Sequence, residues 1–178
     1  MKKELIKAII EEIISGKRLS SIMLKVQILA SALKNEDFME WVQNEIDGYN
    51  GNTSLPEYRR IEVSSLKVYN NDYSSGYKRT FIIPVHAVVD STLRIRVSKV
   101  YFRESVLKLE ELIGTKDIEN TIILQDVIFY SFSIRTDIDN KYLNWDSGVI
   151  GTFSPIISIH AIEEMIDRIK SYLLSIFY

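Results

Sequence analysis

Apolar residues recur at helical spacing from the N-terminus as far as Gly48, and beyond Pro56 the spacing falls to every second residue. A chain that keeps the two periods in separate stretches must build helices packed by stripes and strands packed by faces. Leu5, Ile6, Ile9, Ile10, Ile13 and Ile14 form the first stripe, and Gly16 is its stop signal. Ser20 or Ser21 is expected to cap a second helix, whose apolar positions include Ile22, Met23, Val26, Leu29, Ala30 and Leu33. Asn35 offers a cap for a third, with Glu36 and Asp37 in the first turn, where the helix dipole favours acids. Phe38, Trp41, Val42 and Ile46 are its expected buried stripe, and Gly48 ends it. Residues 1–50 are thereby predicted to form a three-helix unit.

Residues 56–135 read mainly as strands. Ile61, Val63, Leu66 and Val68 mark a first strand, and the polar stretch 70–76 has the composition of a hairpin loop. Phe81 to Val85 returns, with Pro84 placing it at an edge or a strand end. Leu93 to Ser98 alternates cleanly, which predicts a half-buried strand. Glu104 to Leu112 reads as a short helix stopped by Gly114, and Thr121–Leu124 and Val127–Ile134 as further strands. A loop rich in Asp and Asn follows, from Thr136 to Gly148. Residues 157–178 close the chain as a long helix capped near Ser158, with Ile162, Met165, Ile166, Ile169, Leu173 and Ile176 on one face. The expected fold is a single α+β domain over residues 1–178: a helical unit, an antiparallel sheet of about five strands, and a closing helix.

A chain of 178 residues can bury one sizeable core without metals or disulfides. It contains no cysteine, which removes disulfides, thiol nucleophiles and thiolate zinc sites together and fits a cytoplasmic protein. Lys7, Glu11 and Glu12 interrupt the N-terminal stripe, so it is not a signal-peptide core. No stretch approaches the ~18 uninterrupted apolar residues of a membrane span, so no membrane partner is expected. The net charge of −2 hides a polarity: residues 61–108 carry eight basic and four acidic side chains, residues 109–178 five basic and eleven acidic. A solvated surface accounts for this, and self-association or a weak anion site in the middle third would exploit it.

Catalytic signatures are absent from the sequence. His86 and His160 have no partner at ligand or triad spacing, and no P-loop, dinucleotide fingerprint or nucleophile elbow occurs. No cofactor and no metal are expected. Asp137, Asp139 and Asp146, with Asn140 and Asn144 near them, can gather around a hard cation, and Lys141 adds the base a metal-dependent nuclease would want. The loop nevertheless lacks the glycine and terminal glutamate of a calcium hand, and a solvated loop explains it as well. Arg94 and Arg96 share one face of the expected strand and can contact phosphate, but a pI near 5.8 argues against nucleic acid as the partner.

The richest corner runs from Trp41 to Arg59. Trp41 is most simply a core anchor, against which Tyr49 and Tyr58 can pack with their hydroxyls still hydrogen-bonded. Arg59 can pair with Glu45 or satisfy carbonyls at the helix end. On that reading the corner staples helices to sheet. On the other, Trp41, Glu45, Tyr49, Glu57, Tyr58 and Arg59 form a recognition surface rich in the Tyr and Arg types that dominate interfaces.

Leu24-Lys25, Leu29-Ala30 and Leu33, then Trp41-Val42, Glu45 and Gly48-Tyr49, then Leu55-Pro56-Glu57-Tyr58-Arg59 carry a resemblance to the AbiTii family of bacterial abortive-infection proteins. The resemblance implies defence against phage, often by halting the infected cell before progeny are released. In many such proteins the domain is an N-terminal module joined to something else, whereas this sequence stops at Tyr178, just after its closing helix. It is therefore either a complete small protein or a piece of a longer one. No catalytic residues come with the resemblance.

The expected role is a non-enzymatic domain that senses a phage component or assembles with a defence-system partner. Homo-oligomerisation is expected through the apolar C-terminal end, with Leu173, Ile176, Phe177 and Tyr178 at the interface. The alternatives are a metal-dependent nuclease using the loop carboxylates and a nucleic-acid-binding module using Arg94 and Arg96.

Overall fold

A computed structural model describes residues 2–71, 78–88, 91–114, 121–123, 127–129, 137–138, 141–142 and 151–177. The protein is α+β, as the two periods require. Three helices come first: α1 (Lys2–Ile14), α2 (Leu19–Leu33) and α3 (Glu36–Asp47). A 3-10 turn at Glu57–Arg59 leads into β1 (Arg60–Glu62), followed by β2 (Ser65–Asn71) and β3 (Lys78–Pro84). After a second 3-10 turn, Val85–Ala87, come α4 (Ser91–Val97), β4 (Lys99–Tyr101) and α5 (Val106–Gly114). The short strands β5 (Thr121–Ile123), β6 (Val127–Phe129), β7 (Asp137–Ile138) and β8 (Lys141–Tyr142) precede β9 (Gly151–Ser158) and the closing α6 (Ile159–Phe177).

These elements fall into two compact units. One comprises Met1–Arg59, Tyr101–Lys116 and Ile159–Tyr178, and the other Arg60–Val100 and Asp117–Ser158. In the first, the expected helical unit gains α5 and α6. Ile9, Ile22, Met23, Val26, Leu29, Val42, Leu109, Ile162, Ile169 and Leu173 fill its core. The caps are local chemistry. Asn35 Oδ1 accepts from Phe38 N at 3.0 Å at the start of α3, and Gly48 N donates to Asn44 O at 2.9 Å at its end. Ser20 and Ser21 do not cap α2: both lie inside it, and Glu110 of α5 takes the capping role. Its Oε1 accepts from Leu19 N at 2.6 Å and its Oε2 from Ser20 Oγ at 2.5 Å. A carboxylate brought in by another helix satisfies the orphan N–H group as a local side chain would.

In the second unit, β2, β3, β5, β6 and β9 build an antiparallel sheet in the order β3-β2-β9-β5, with β6 also paired to β9. Leu66 and Val68 of β2 and Ile83 of β3 point into a core with Val63, Val85, Val88, Leu93 and Val97. β1 and β4 form a separate two-stranded ladder, as do β7 and β8.

Two expectations about strands are corrected. The first concerns residues 93–98, of which Leu93 to Val97 form the last turns of α4 and not a strand. Leu93 and Val97 are buried four residues apart while Ile95 points to solvent. Leu-Arg-Ile-Arg-Val satisfies both periods, and packing of the i, i+4 pair decides between them. The second concerns β9, which lies where no strand was expected and occupies the middle of the sheet. It pairs with β2 on one side, and with β6 at residues 151–153 and β5 at residues 156–158 on the other. Among the described residues, the gap between those two ladders falls at Ser154 and Pro155, where the missing proline N–H costs no ladder bond on that side.

Candidate functional site: the aromatic corner around Glu45 and Arg59

Helix α3 places Trp41 and Glu45 one turn apart, and Gly48 stops it so that the chain swings Tyr49 back against the same face. Gly48 has φ +92°, and a Cβ there would lie 2.7 Å from the Arg103 carbonyl oxygen. Only glycine fits that approach. Tyr49 N then donates to Arg103 O at 2.7 Å, and the Arg103 guanidinium holds the following loop through the Thr53 carbonyl at 3.3 Å. After Pro56 the 3-10 turn presents Tyr58 and Arg59 to the helix, with Arg59 N donating to Pro56 O at 2.9 Å.

At the centre Arg59 Nη2 donates to Glu45 Oε2, and both side chains are wholly buried. Glu45 Oε1 accepts from Tyr49 Oη at 2.6 Å and from Tyr58 Oη at 2.7 Å. Tyr58 Oη accepts from Trp41 Nε1 at 2.6 Å. Arg59 Nη1 donates to the Glu104 carbonyl at 2.7 Å, and its guanidinium carbon sits 5.2 Å from the centre of the Tyr49 ring. Burial, reinforced by the Glu45 charge, pushes both tyrosine hydroxyls well above their ordinary range, so they remain donors.

Above this network lies a layer of rings. Phe38 stacks with Trp41 at 6.0 Å, and Tyr172 of α6 packs on Trp41 at 5.0 Å and on Tyr58 at 6.2 Å. Trp41 and Tyr58 are half-buried, and Tyr172 is 44% exposed. The expected stripe of α3 is thus rotated: Phe38, Val42 and Glu45 are buried, and Trp41 lies nearer the surface than a core anchor. The arginine is what permits an acid on the buried stripe. Tyr172 escaped the sequence reading as a member of the corner, its one signal being the aromatic-rich end of the closing helix.

The other candidate residues lie elsewhere. Glu57 is exposed beside the corner. Arg94 and Arg96 are exposed on α4, where two residues of helix turn them about 200° apart, slightly more than a half-turn, so they do not share the face a strand would have given them. Leu173 is buried in the core of its own unit and is not available to a partner. Ile176 is exposed, Phe177 half-buried, and Tyr178 lies outside the described residues. His86 is exposed, and His160 lies 3.6 Å from Glu163 and 3.3 Å from Glu164 on α6. Asp137 and Lys141 fall in β7 and β8, while Asp139, Asn140, Asn144 and Asp146 lie outside the described residues. Among the described residues, no group of three acidic, histidine or cysteine side chains is placed to hold a metal ion, and no helix is long and apolar enough to cross a membrane.

These elements define an α+β protein in which a buried acid–arginine pair holds an aromatic corner. The AbiTii family model matches residues 4–178, and the chain belongs to the AbiTii family. Membership places it among proteins of abortive-infection phage defence. No curated protein and no solved structure matches the chain.

Proposed function

We propose that the protein serves phage defence in the cytoplasm as a non-enzymatic recognition and assembly domain, and that the rings of Trp41, Tyr58 and Tyr172 form the surface it offers to a phage component or a defence partner. The supporting observation is the division of labour within the corner. Both oxygens of Glu45 are engaged by Arg59, Tyr49 and Tyr58, so the carboxylate is committed to the fold and not poised for proton transfer. The rings it anchors reach the surface, with Tyr172 the most exposed. Rigid, half-exposed aromatic side chains supply contact area at low entropic cost.

The test is plating efficiency across a phage panel in bacteria expressing the chain or its Tyr172→Ala variant. Tyr172 joins the corner through ring contacts and lies at its rim, so the variant is expected to fold and to lose protection. Protection by the folded variant equal to that of the parent chain would refute the aromatic surface. Metal-dependent cleavage of RNA or DNA by the purified protein would refute the non-enzymatic reading.

A further inference from the structure

The chain holds one Asn-Gly pair, Asn50-Gly51, in the loop that follows α3. Thr53 N donates to Asn50 O at 3.0 Å and closes a β-turn with Gly51 and Asn52 at its corner. Asn50 and Gly51 are both exposed. Among the described residues, nothing accepts from Gly51 N and nothing bonds to the Asn50 side-chain amide. A Cβ built on Gly51 meets nothing within 4 Å, so the approach to its backbone nitrogen is open. Arg103, half-buried, donates from Nη1 to the same Asn50 O, and to Thr53 O at 3.3 Å. Its guanidinium faces those two carbonyls and, among the described residues, no carboxylate.

We propose that this loop is a self-modifying site: the protein converts its own Asn50 to aspartate and isoaspartate, with Arg103 as the catalytic group and water as the co-reactant. Gly51 N gives up its proton to hydroxide and attacks Asn50 Cγ. The new N–C bond closes a succinimide ring, and the bond from Cγ to the side-chain nitrogen breaks as ammonia leaves with a proton from water. Water then adds to either carbonyl of the ring. Opening at Cγ gives aspartate. Opening at the backbone carbonyl gives isoaspartate, in which the former Asn50 carbonyl carbon carries the free carboxylate.

The difficult step is loss of the Gly51 proton, and the charge it leaves spreads onto Asn50 O through the peptide bond. Arg103 Nη1 and Thr53 N already donate to that oxygen, so two preorganised donors meet the charge where it develops. Either product also offers the Arg103 guanidinium a carboxylate. Asp47-Gly48 has the sequence for the same cyclisation, but the fold closes it. Gly48 N donates to Asn44 O at 2.9 Å, and Asp47 Oδ2 accepts from Gln43 Nε2. The loop links the end of α3 to the turn that carries Tyr58 and Arg59, so each event adds a negative charge beside the aromatic corner. The step does not depend on what the rings contact.

The full chain, held at neutral and at alkaline pH, is expected to gain one mass unit that fragmentation maps to residue 50, at a rate that rises with hydroxide. Hydroxylamine, which cleaves a succinimide, should cut between residues 50 and 51. Gly51→Ala is expected to slow the change about tenfold, since a Cβ restricts the backbone angles that ring closure needs. Arg103→Met separates catalysis from loop rigidity. A loop merely freed from its tether would react faster, whereas loss of the charge-stabilising donor is expected to slow the reaction about tenfold. A peptide of residues 47–55, which contains no arginine, should likewise lag behind the folded chain. A folded chain that converts more slowly than the peptide would overturn the proposal. Equal or faster conversion in Arg103→Met would do the same, as would modification that maps first to Asp47.

Discussion

Arg59 sets its Nη2 on Glu45 Oε2 with neither side chain touching solvent, while its Nη1 holds the carbonyl of Glu104. One guanidinium thus joins α3, the turn after Pro56 and the segment entering α5. Such a pair adds little net stability when complete, but half of it is a buried unpaired charge. Glu45→Gln and Arg59→Met are each expected to cost about 3–5 kcal/mol. The double variant is expected to cost clearly less than the sum, as read from urea denaturation in a double-mutant cycle. Additive losses would show that the two side chains act independently.

The two tyrosines are not equivalent. Tyr49 donates to Glu45, with a long 3.5 Å contact to the Tyr58 hydroxyl, whereas Tyr58 donates to Glu45 and also accepts from Trp41 Nε1 at 2.6 Å. Removing either hydroxyl is expected to cost about 1.5–3 kcal/mol, because the acceptor is charged. Tyr58→Phe should be the more damaging, since it also strands the indole N–H. Thermal and urea unfolding of the two variants side by side decides the order.

Alkaline pH should find the same network. Both hydroxyls have raised pKa values in the fold, from burial first and the Glu45 charge second. The unfolded chain therefore loses these protons first, near pH ~10, and binds fewer of them than the native state above that point. The stability they contribute is complete below pH ~10 and declines as pH rises toward the higher folded values. Unfolding free energies measured from pH 8 to 11.5 should fall at the upper end, and Tyr49→Phe should make that fall shallower.

Gly48→Ala is expected to destabilise by about 2 kcal/mol or more, combining a positive φ with a close approach to rigid backbone. The Arg103 carbonyl cannot yield without giving up its bond from Tyr49 N at 2.7 Å. Gly16 is the internal control. It also has positive φ, but a Cβ there meets nothing within 4 Å, so Gly16→Ala should cost less. Equal losses in the two variants would remove the steric argument.

Glu110→Ala should cost about 1 kcal/mol, the usual worth of an N-cap, although the residue sits in another helix far along the chain. Amide exchange in the first turn of α2 is the sensitive readout, and it should quicken at Leu19 and Ser20. Unchanged protection there would assign the cap to the backbone alone.

Helices α1, α2, α3, α5 and α6 were legible because apolar spacing, joined in α1, α3 and α5 by a glycine stop, is set within reach of a few neighbouring residues. The α+β class followed from the switch of period at Pro56. So did the membership of Trp41, Glu45, Tyr49, Tyr58 and Arg59 in one corner, since a helix turn, a glycine and a proline-led return bring them close by local geometry alone. What failed needed partners distant in the chain. Gly151–Ser158 has no clean alternation, and it becomes a central strand through neighbours on both edges. Leu93–Val97 fits either period, and burial against the second unit's core made it helix. Glu110 caps α2 from across the helical unit, Tyr172 completes the ring layer from the last helix, and a buried acid is tolerable only where Arg59 meets it. Local spacing and capping settle which segments can be helix or strand, because those energies depend on residues a turn or two apart. Which charges are buried, which strand is central and which rings face outward depend on desolvation and pairing between distant segments, and those terms exist only once the chain has packed.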